Sequence, residues 1–158
     1  MDKYYIVDIQ EEKKDTINDY IPTSVTISYK GIHFVGVSYC HKNDIENYSY
    51  IFGGSLAEMR AIYKALVWET EVKKEYYNNL QKFCKTIMQQ KNFNKEDGTA
   101  KAMFHQLNIA KKNWLKSKIE KNLTYEAITE MIVEQDKKVR YVQEIIKRKE
   151  NNKTSNQD

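Results

Sequence analysis

The chain is predicted to adopt an α+β fold. A small N-terminal antiparallel sheet of about three strands is followed by a very long helix and two further helices that form a helical hairpin or bundle. Three observations predict it. Alternation of β-branched and aromatic residues is confined to the first forty residues. Beyond Ser55, apolar residues recur at steps of three and four, with no glycine before Gly98 and no proline at all. The composition, with 1 proline, 5 glycines and 30% charged residues, favours long helices over an all-β architecture. Residues 1–54 are read as the sheet region and 55–150 as helices packed with it as one unit. The polar stretch 151–158 is read as a disordered tail.

The first strand is "KYYIVDI", residues 3–9, with Tyr5, Val7 and Ile9 expected on one face and Tyr4, Ile6 and Asp8 on the other. "QEEKKDTINDY" reads as a loop. Residues 23–40 form a hairpin whose turn is Lys30–Gly31, because glycine tolerates the positive φ of a tight turn. On the returning strand His33, Val35, Val37 and Tyr39 share one face, and Ile32, Phe34, Gly36 and Cys40 the other. A glycine in mid-strand at position 36 points to a bulge or to the close approach of another backbone.

The stretch "FGGSLAEMRAIYKALVWE" opens the long helix. Ser55 and Glu58 have the spacing of a capping box, which assigns the glutamate a structural task. Ala61, Ala65, Trp68, Val72, Tyr76, Leu80, Phe83 and Ile87 form one apolar stripe. A helix from 56 to about 91 is about 54 Å long at 1.5 Å per residue, longer than the sheet it follows. "KNFNKEDGTA" interrupts it, with Asp97 or Thr99 as the next cap. A second helix carries Met103, Leu107, Ala110 and Trp114. A bend is expected at "NLT", residues 122–124, before a third helix with Ile128, Met131, Val139, Val142 and Ile146. A long single stripe needs cover, so a homodimer or higher homo-oligomer is expected.

Charge is unevenly placed. Residues 1–50 carry 5 basic and 8 acidic groups, and residues 101–150 carry 12 and 7, within an overall charge of +4. The positive charge is nearly all lysine, which lacks the planar fork that reads phosphates bidentately. The basic helix face of Lys111, Lys112, Lys116, Lys118 and Lys121 is therefore read first as a solvated surface, and second as a nucleic-acid contact. The start shows no secretory pattern and no apolar run has membrane-span length. A cytoplasmic protein with reduced thiols is expected, with no membrane partner. Cys40, His41, His33 and Cys84 lack the paired spacing of a zinc site, so no metal and no cofactor are expected.

Residues 4–68 resemble the start of the ribonuclease H family: Asp8 on a first strand, a hairpin, then Glu58 in "AEMRAIYKAL". That resemblance implies two-metal chemistry clamped by carboxylates. Past residue 70 the chain reads helical and supplies no later strand with a further aspartate, so catalysis is not expected.

Residues 24–66 resemble small accessory proteins of phages infecting low-GC Gram-positive bacteria. The matching residues are Gly36, Cys40, His41, Asp44, Phe52, Gly54, Ala57, Arg60 and Ala61. Such proteins include anti-CRISPR inhibitors and Thoeris anti-defence sponges. The resemblance implies a non-catalytic anti-defence protein of the host bacterial cytoplasm that inhibits a nucleic-acid-guided nuclease, its partner being a host defence protein or ribonucleoprotein. The alternative it implies is a sponge for a cyclic nucleotide signal, with Arg60 and Lys64 as anion contacts. His41, Asp44, Tyr48 and Tyr50 complete the candidate binding set, tyrosine being a frequent interface residue.

Overall fold

A computed structural model describes residues 3–11, 20–41, 50–90 and 93–154. Three strands, β1 (Tyr5–Glu11), β2 (Tyr20–Tyr29) and β3 (Ile32–His41), form an antiparallel sheet in that order. Two helices follow, α1 (Tyr50–Met88) and α2 (Gly98–Thr154).

The β2–β3 turn is as tight as the sequence requires. Lys30 and Gly31 both have positive φ, 52° and 78°, and Tyr29 pairs directly with Ile32. Two left-handed residues in succession match the twist of the flanking strands. Pairing then fixes the faces. Val25 and Ile27 oppose Gly36 and Phe34 on one side, and Thr26 and Ser28 oppose Val35 and His33 on the other. β1 departs from the expected alternation. A register shift between Ile6 and Asp8 pairs Ile6 with Ile27 and Ile9 with Val25, so those two share the core side. Tyr5 and Asp8 pair with Ser28 and Thr26 on the opposite side. The extra residue of a bulge resets the two-residue period, and an unbulged reading assigns the wrong face beyond it.

α1 crosses the core side of β2 and β3. Val25, Ile27 and Tyr29 are buried against Ala57, Ala61 and Ala65, with Phe34 and Trp68 packed alongside at a ring separation of 5.9 Å. Alanine at every fourth position lets the helix lie close to the strands. Gly36 completes the approach: a Cβ there would run into the Ala57 carbonyl oxygen and lie 2.5 Å from the Ala61 nitrogen. Burying Val25 and Ile27 contributes about 1.5–3 kcal/mol each.

The other side of α1 meets α2. Leu56, Leu66, Thr70 and Cys84 are buried, and Tyr63, Tyr77, Leu80 and Ile87 half-buried, along a row of three- and four-residue steps. Ala100, Ala110, Ser117 and Ile128 are the buried members of the matching row on α2. Tyr77 stacks on Trp114 at 5.6 Å, and Tyr63 meets Tyr125 at 5.7 Å. Partner numbers rise in α2 as they fall in α1, so the helices run antiparallel. α1 is thus the middle layer between sheet and α2.

Several expectations are corrected. Among the described residues there are two helices after the sheet, not three: α2 continues through residues 122–124, where the Thr124 hydroxyl donates to the Glu120 carbonyl at 2.9 Å. Neither proline nor glycine is present to break it, and the row facing α1 continues from Ser117 to Ile128. α2 also extends to Thr154, into the segment read as a disordered tail; residues 155–158 lie outside the described residues. α1 begins at Tyr50, inside the expected sheet region, so Ser55 is an interior residue and forms no capping box with Glu58. Two glycines in a helix cost about 1 kcal/mol each relative to alanine. Packing offsets this: Gly53 is buried, and the Ser38 hydroxyl donates to its carbonyl at 2.7 Å. Asp97 immediately precedes α2, and its carbonyl accepts the Lys101 amide at 3.0 Å, which favours it over Thr99 as the cap.

Candidate interaction surfaces

Arg60 and Lys64 stand one turn apart on α1, beside the outer edge of β3. Arg60 Nη1 donates to the Val37 carbonyl and Lys64 Nζ to the Val35 carbonyl, each at 2.6 Å. Alternate carbonyls of an edge strand have no ladder partner, and an exposed row of them invites another strand. Two cationic donors occupy this one. The arginine nominated as an anion contact therefore serves the fold, and the same holds for Lys64.

Glu58 accepts a hydrogen bond from the Tyr4 hydroxyl at 2.7 Å. Burial first, then this bond and the nearby carboxylate charge, push the Tyr4 phenol up to about 12. Asp8 instead accepts from Gln10 Nε2 at 2.6 Å on the far side of the sheet. The two carboxylates of the ribonuclease H resemblance are thus on opposite faces of β1 and cannot share a metal pair. Among the described residues, no three histidine, cysteine, aspartate or glutamate side chains gather as metal ligands.

Glu69 is the charged residue that the sequence reading missed. It is buried, with one carboxylate oxygen 2.7 Å from Lys30 Nζ and 3.0 Å from Lys73 Nζ. Burial pushes its pKa up, but hydrogen bonds from Lys30 and Lys73, and the neighbouring Tyr29 hydroxyl, outweigh that and bring it down to about 2. The Tyr29 hydroxyl lies beside this carboxylate without meeting hydrogen-bond geometry. The cluster fastens the β2–β3 turn to the middle of α1.

Asp44 and Tyr48 lie outside the described residues. For His41 and Tyr50 the backbone alone is described, His41 closing β3 and Tyr50 opening α1. Lys111, Lys112, Lys116 and Lys118 are exposed on α2, whereas Lys121 falls in the row facing α1 and is half-buried. Leu115 and Ile119, both exposed, interrupt the four, so they do not make a continuous cationic stripe. An open cleft of about 380 Å³ at the α1–α2 turn, lined by Ile87, Phe93, Asp97 and Met103 among others, contains none of the candidate residues.

Among the described residues, no helix covers the face of the sheet turned away from α1. Tyr5 on β1 and Tyr39 on β3 are 66% and 63% exposed, and Val35 is exposed between them. β2 contributes Pro22, Ser24, Thr26 and Ser28 here, so the floor between the outer strands is low. Val7, at the bulge, is exposed too, as are Ile6 and Ile9 on the core side, past the reach of α1.

The chain matches no family model, no curated protein and no solved structure. Its function therefore rests on these surfaces. Among the described residues, no helix is long and apolar enough to cross a membrane. The alternation of β3 pointed to the Val35 and Tyr39 face. Nothing in the sequence said that α1 would cover the other face rather than this one.

Proposed function

We propose that this protein works by binding a larger macromolecule rather than by catalysis, with the sheet face turned away from α1 as its contact surface. The observation that carries this reading is the shallow sheet face whose diagonally opposite corners carry the exposed Tyr5 and Tyr39. Between those two aromatic corners, β2 contributes Pro22 and the small hydroxylated Ser24, Thr26 and Ser28. Tyrosines of this kind give large contact area at low conformational cost and are frequent binding hot spots. The partner class follows from the resemblance to phage accessory proteins: a bacterial immune effector, in the manner of an anti-CRISPR inhibitor of a nucleic-acid-guided nuclease. The cyclic-nucleotide alternative loses support, because the head groups of Arg60 and Lys64 are engaged by β3 carbonyls.

Co-purification with a CRISPR ribonucleoprotein from a low-GC Gram-positive host is the test. A stable complex, weakened at least about tenfold by Tyr5→Ala with Tyr39→Ala, is expected. A complex indifferent to both changes would move the contact elsewhere. A large thermal stabilisation by cyclic nucleotides instead would replace the inhibitor with the sponge.

A further inference from the structure

We propose that α2 carries, on the side away from α1, an interface for a second copy of this chain, paired antiparallel about residue 121. Ser117 and Ile128 are buried in the row facing α1. Ile119, two residues past Ser117, lies about half a turn round the helix and points outward. From Ile119 a second row of three- and four-residue steps extends in both directions. Its apolar members Ile109, Ile119, Leu123 and Val133 are 37%, 59%, 59% and 45% exposed. Its charged members Lys112, Lys116, Glu126 and Glu130 are exposed as well.

This row is complementary to its own reverse. With residue 121 of one copy opposite residue 121 of the other, Ile119 faces Leu123 and Lys116 faces Glu126. One turn further out Lys112 faces Glu130, and Ile109 faces Val133. The dyad generates each pair twice. Alternating three and four steps is the spacing at which two helices interlock, and the antiparallel arrangement places each position opposite its counterpart in the repeat. A parallel arrangement would set Lys112 on Lys112 and Glu126 on Glu126, so charge selects the antiparallel one.

Within one chain three of these four charges are poorly placed, whereas Lys116 has Glu120 one turn on. Lys112 and Lys116 are one turn apart, as are Glu126 and Glu130, and such like pairs cost about 0.2–0.5 kcal/mol each. At three- and four-residue spacing Lys112 meets Asn108, Ile109, Leu115 and Lys116. Glu126 meets Asn122, Leu123, Thr129 and Glu130, and Glu130 meets Glu126, Ala127, Val133 and Glu134. None of these offers an opposite charge. A second copy supplies lysine where the row has glutamate, and glutamate where it has lysine. The sheets would lie on the outside of this dimer, leaving both shallow sheet faces open, and the inference does not depend on what that face binds.

Light scattering on the purified full-length chain, combined with charge exchange, tests the proposal. The wild-type chain is expected at twice the chain mass. K112E/K116E alone and E126K/E130K alone are each expected to fall to a single chain mass while keeping the helical circular dichroism signal. Mixing the two variants is expected to restore the doubled mass, because every facing pair is then opposite in charge. A wild-type chain that stays monomeric at its highest soluble concentration overturns the proposal and leaves the row to a different partner. A dimer that survives both reversals overturns it too and moves the interface to the β1 edge or elsewhere. Should either variant fail to fold alone, the quadruple variant decides: it retains complementarity, so the proposal requires it to dimerise.

Discussion

Strand β3 is held to α1 along its length, whereas β1 reaches the helix, among the described residues, through Tyr4 and Glu58. On β3, Gly36 admits the helix backbone, the Ser38 hydroxyl bonds the Gly53 carbonyl, and the Val35 and Val37 carbonyls take Lys64 and Arg60. On β1, Tyr5, Ile6, Val7 and Ile9 are all exposed. The two outer strands of one small sheet thus protect their edges by different means. β3 has cationic side chains from a helix, and β1 has a bulge that disrupts pairing with a newcomer. The difference teaches that binding capacity remains where the helix does not reach.

The most severe way to break this contrast is at Gly36. A methyl group there meets backbone atoms of Ala57 and Ala61, which cannot swing aside as a side chain could. Gly36→Ala is expected to destabilise by about 3–5 kcal/mol in urea unfolding. A loss under about 1 kcal/mol would mean that α1 sits less tightly on β3 than described.

Glu69 comes next. Glu69→Gln leaves Lys30 and Lys73 without their shared anion and is expected to cost about 2 kcal/mol at neutral pH. Because folding lowers this carboxylate from 4.5 to about 2, its contribution is complete above pH 4.5 and is lost as pH falls through that range. The variant should flatten that part of the stability–pH curve. An unchanged acid limb would remove Glu69 as its source.

A smaller effect is expected from opening the β3 edge. Arg60→Met should cost about 1–2 kcal/mol, and Lys64→Met, at a more exposed position, about 0.5 kcal/mol. The double variant should also acquire a concentration-dependent tendency to aggregate through β3, visible in sedimentation. Absence of new association would show that the two head groups are not what protects this edge.

On the β1 side, Tyr4→Phe should cost about 1 kcal/mol. The phenol is raised in the fold, so its contribution is present below pH 10 and lost as pH rises from 10 towards 12. The variant should blunt that alkaline loss. The least effect on stability, within about 0.5 kcal/mol, is expected for Val7→Lys, which alters an exposed side chain at the bulge.

The hairpin was legible residue by residue. Lys30–Gly31 and the two faces of β3 follow from local conformational preference and a period of two, while at Gly36 the sequence left a bulge and a close backbone approach as alternatives. The bulge in β1 was not, because nothing in "YIVDIQE" marks which residue is extra; its pairing with β2 decides that. The sheet-facing stripe of α1 was legible through Ala61, Ala65 and Trp68, but its continuation at Val72, Tyr76 and Phe83 is exposed, past the end of the sheet. The second stripe, facing α2, was hidden by Thr70, Lys73, Tyr77 and Cys84, whose polarity masks a packing row.

Arg60 shows why the candidate site was harder to read than the fold. It is a rare arginine in a lysine-rich chain, and the resemblance to phage accessory proteins made it a binding candidate. Its partner is a backbone carbonyl more than twenty residues earlier, an acceptor that every residue type possesses and no sequence pattern displays. The sequence by itself determined that three strands precede a long helix and that the hairpin would turn at Lys30–Gly31, because those depend on neighbours in the chain; it did not show where α1 begins or that α2 runs unbroken. Tertiary structure alone decided which sheet face α1 covers, which edge its side chains seal and what Arg60 and Glu58 hold. Those outcomes depend on where α1 lies across the strands, and that position is set by the small residues at 36, 57, 61 and 65 acting together.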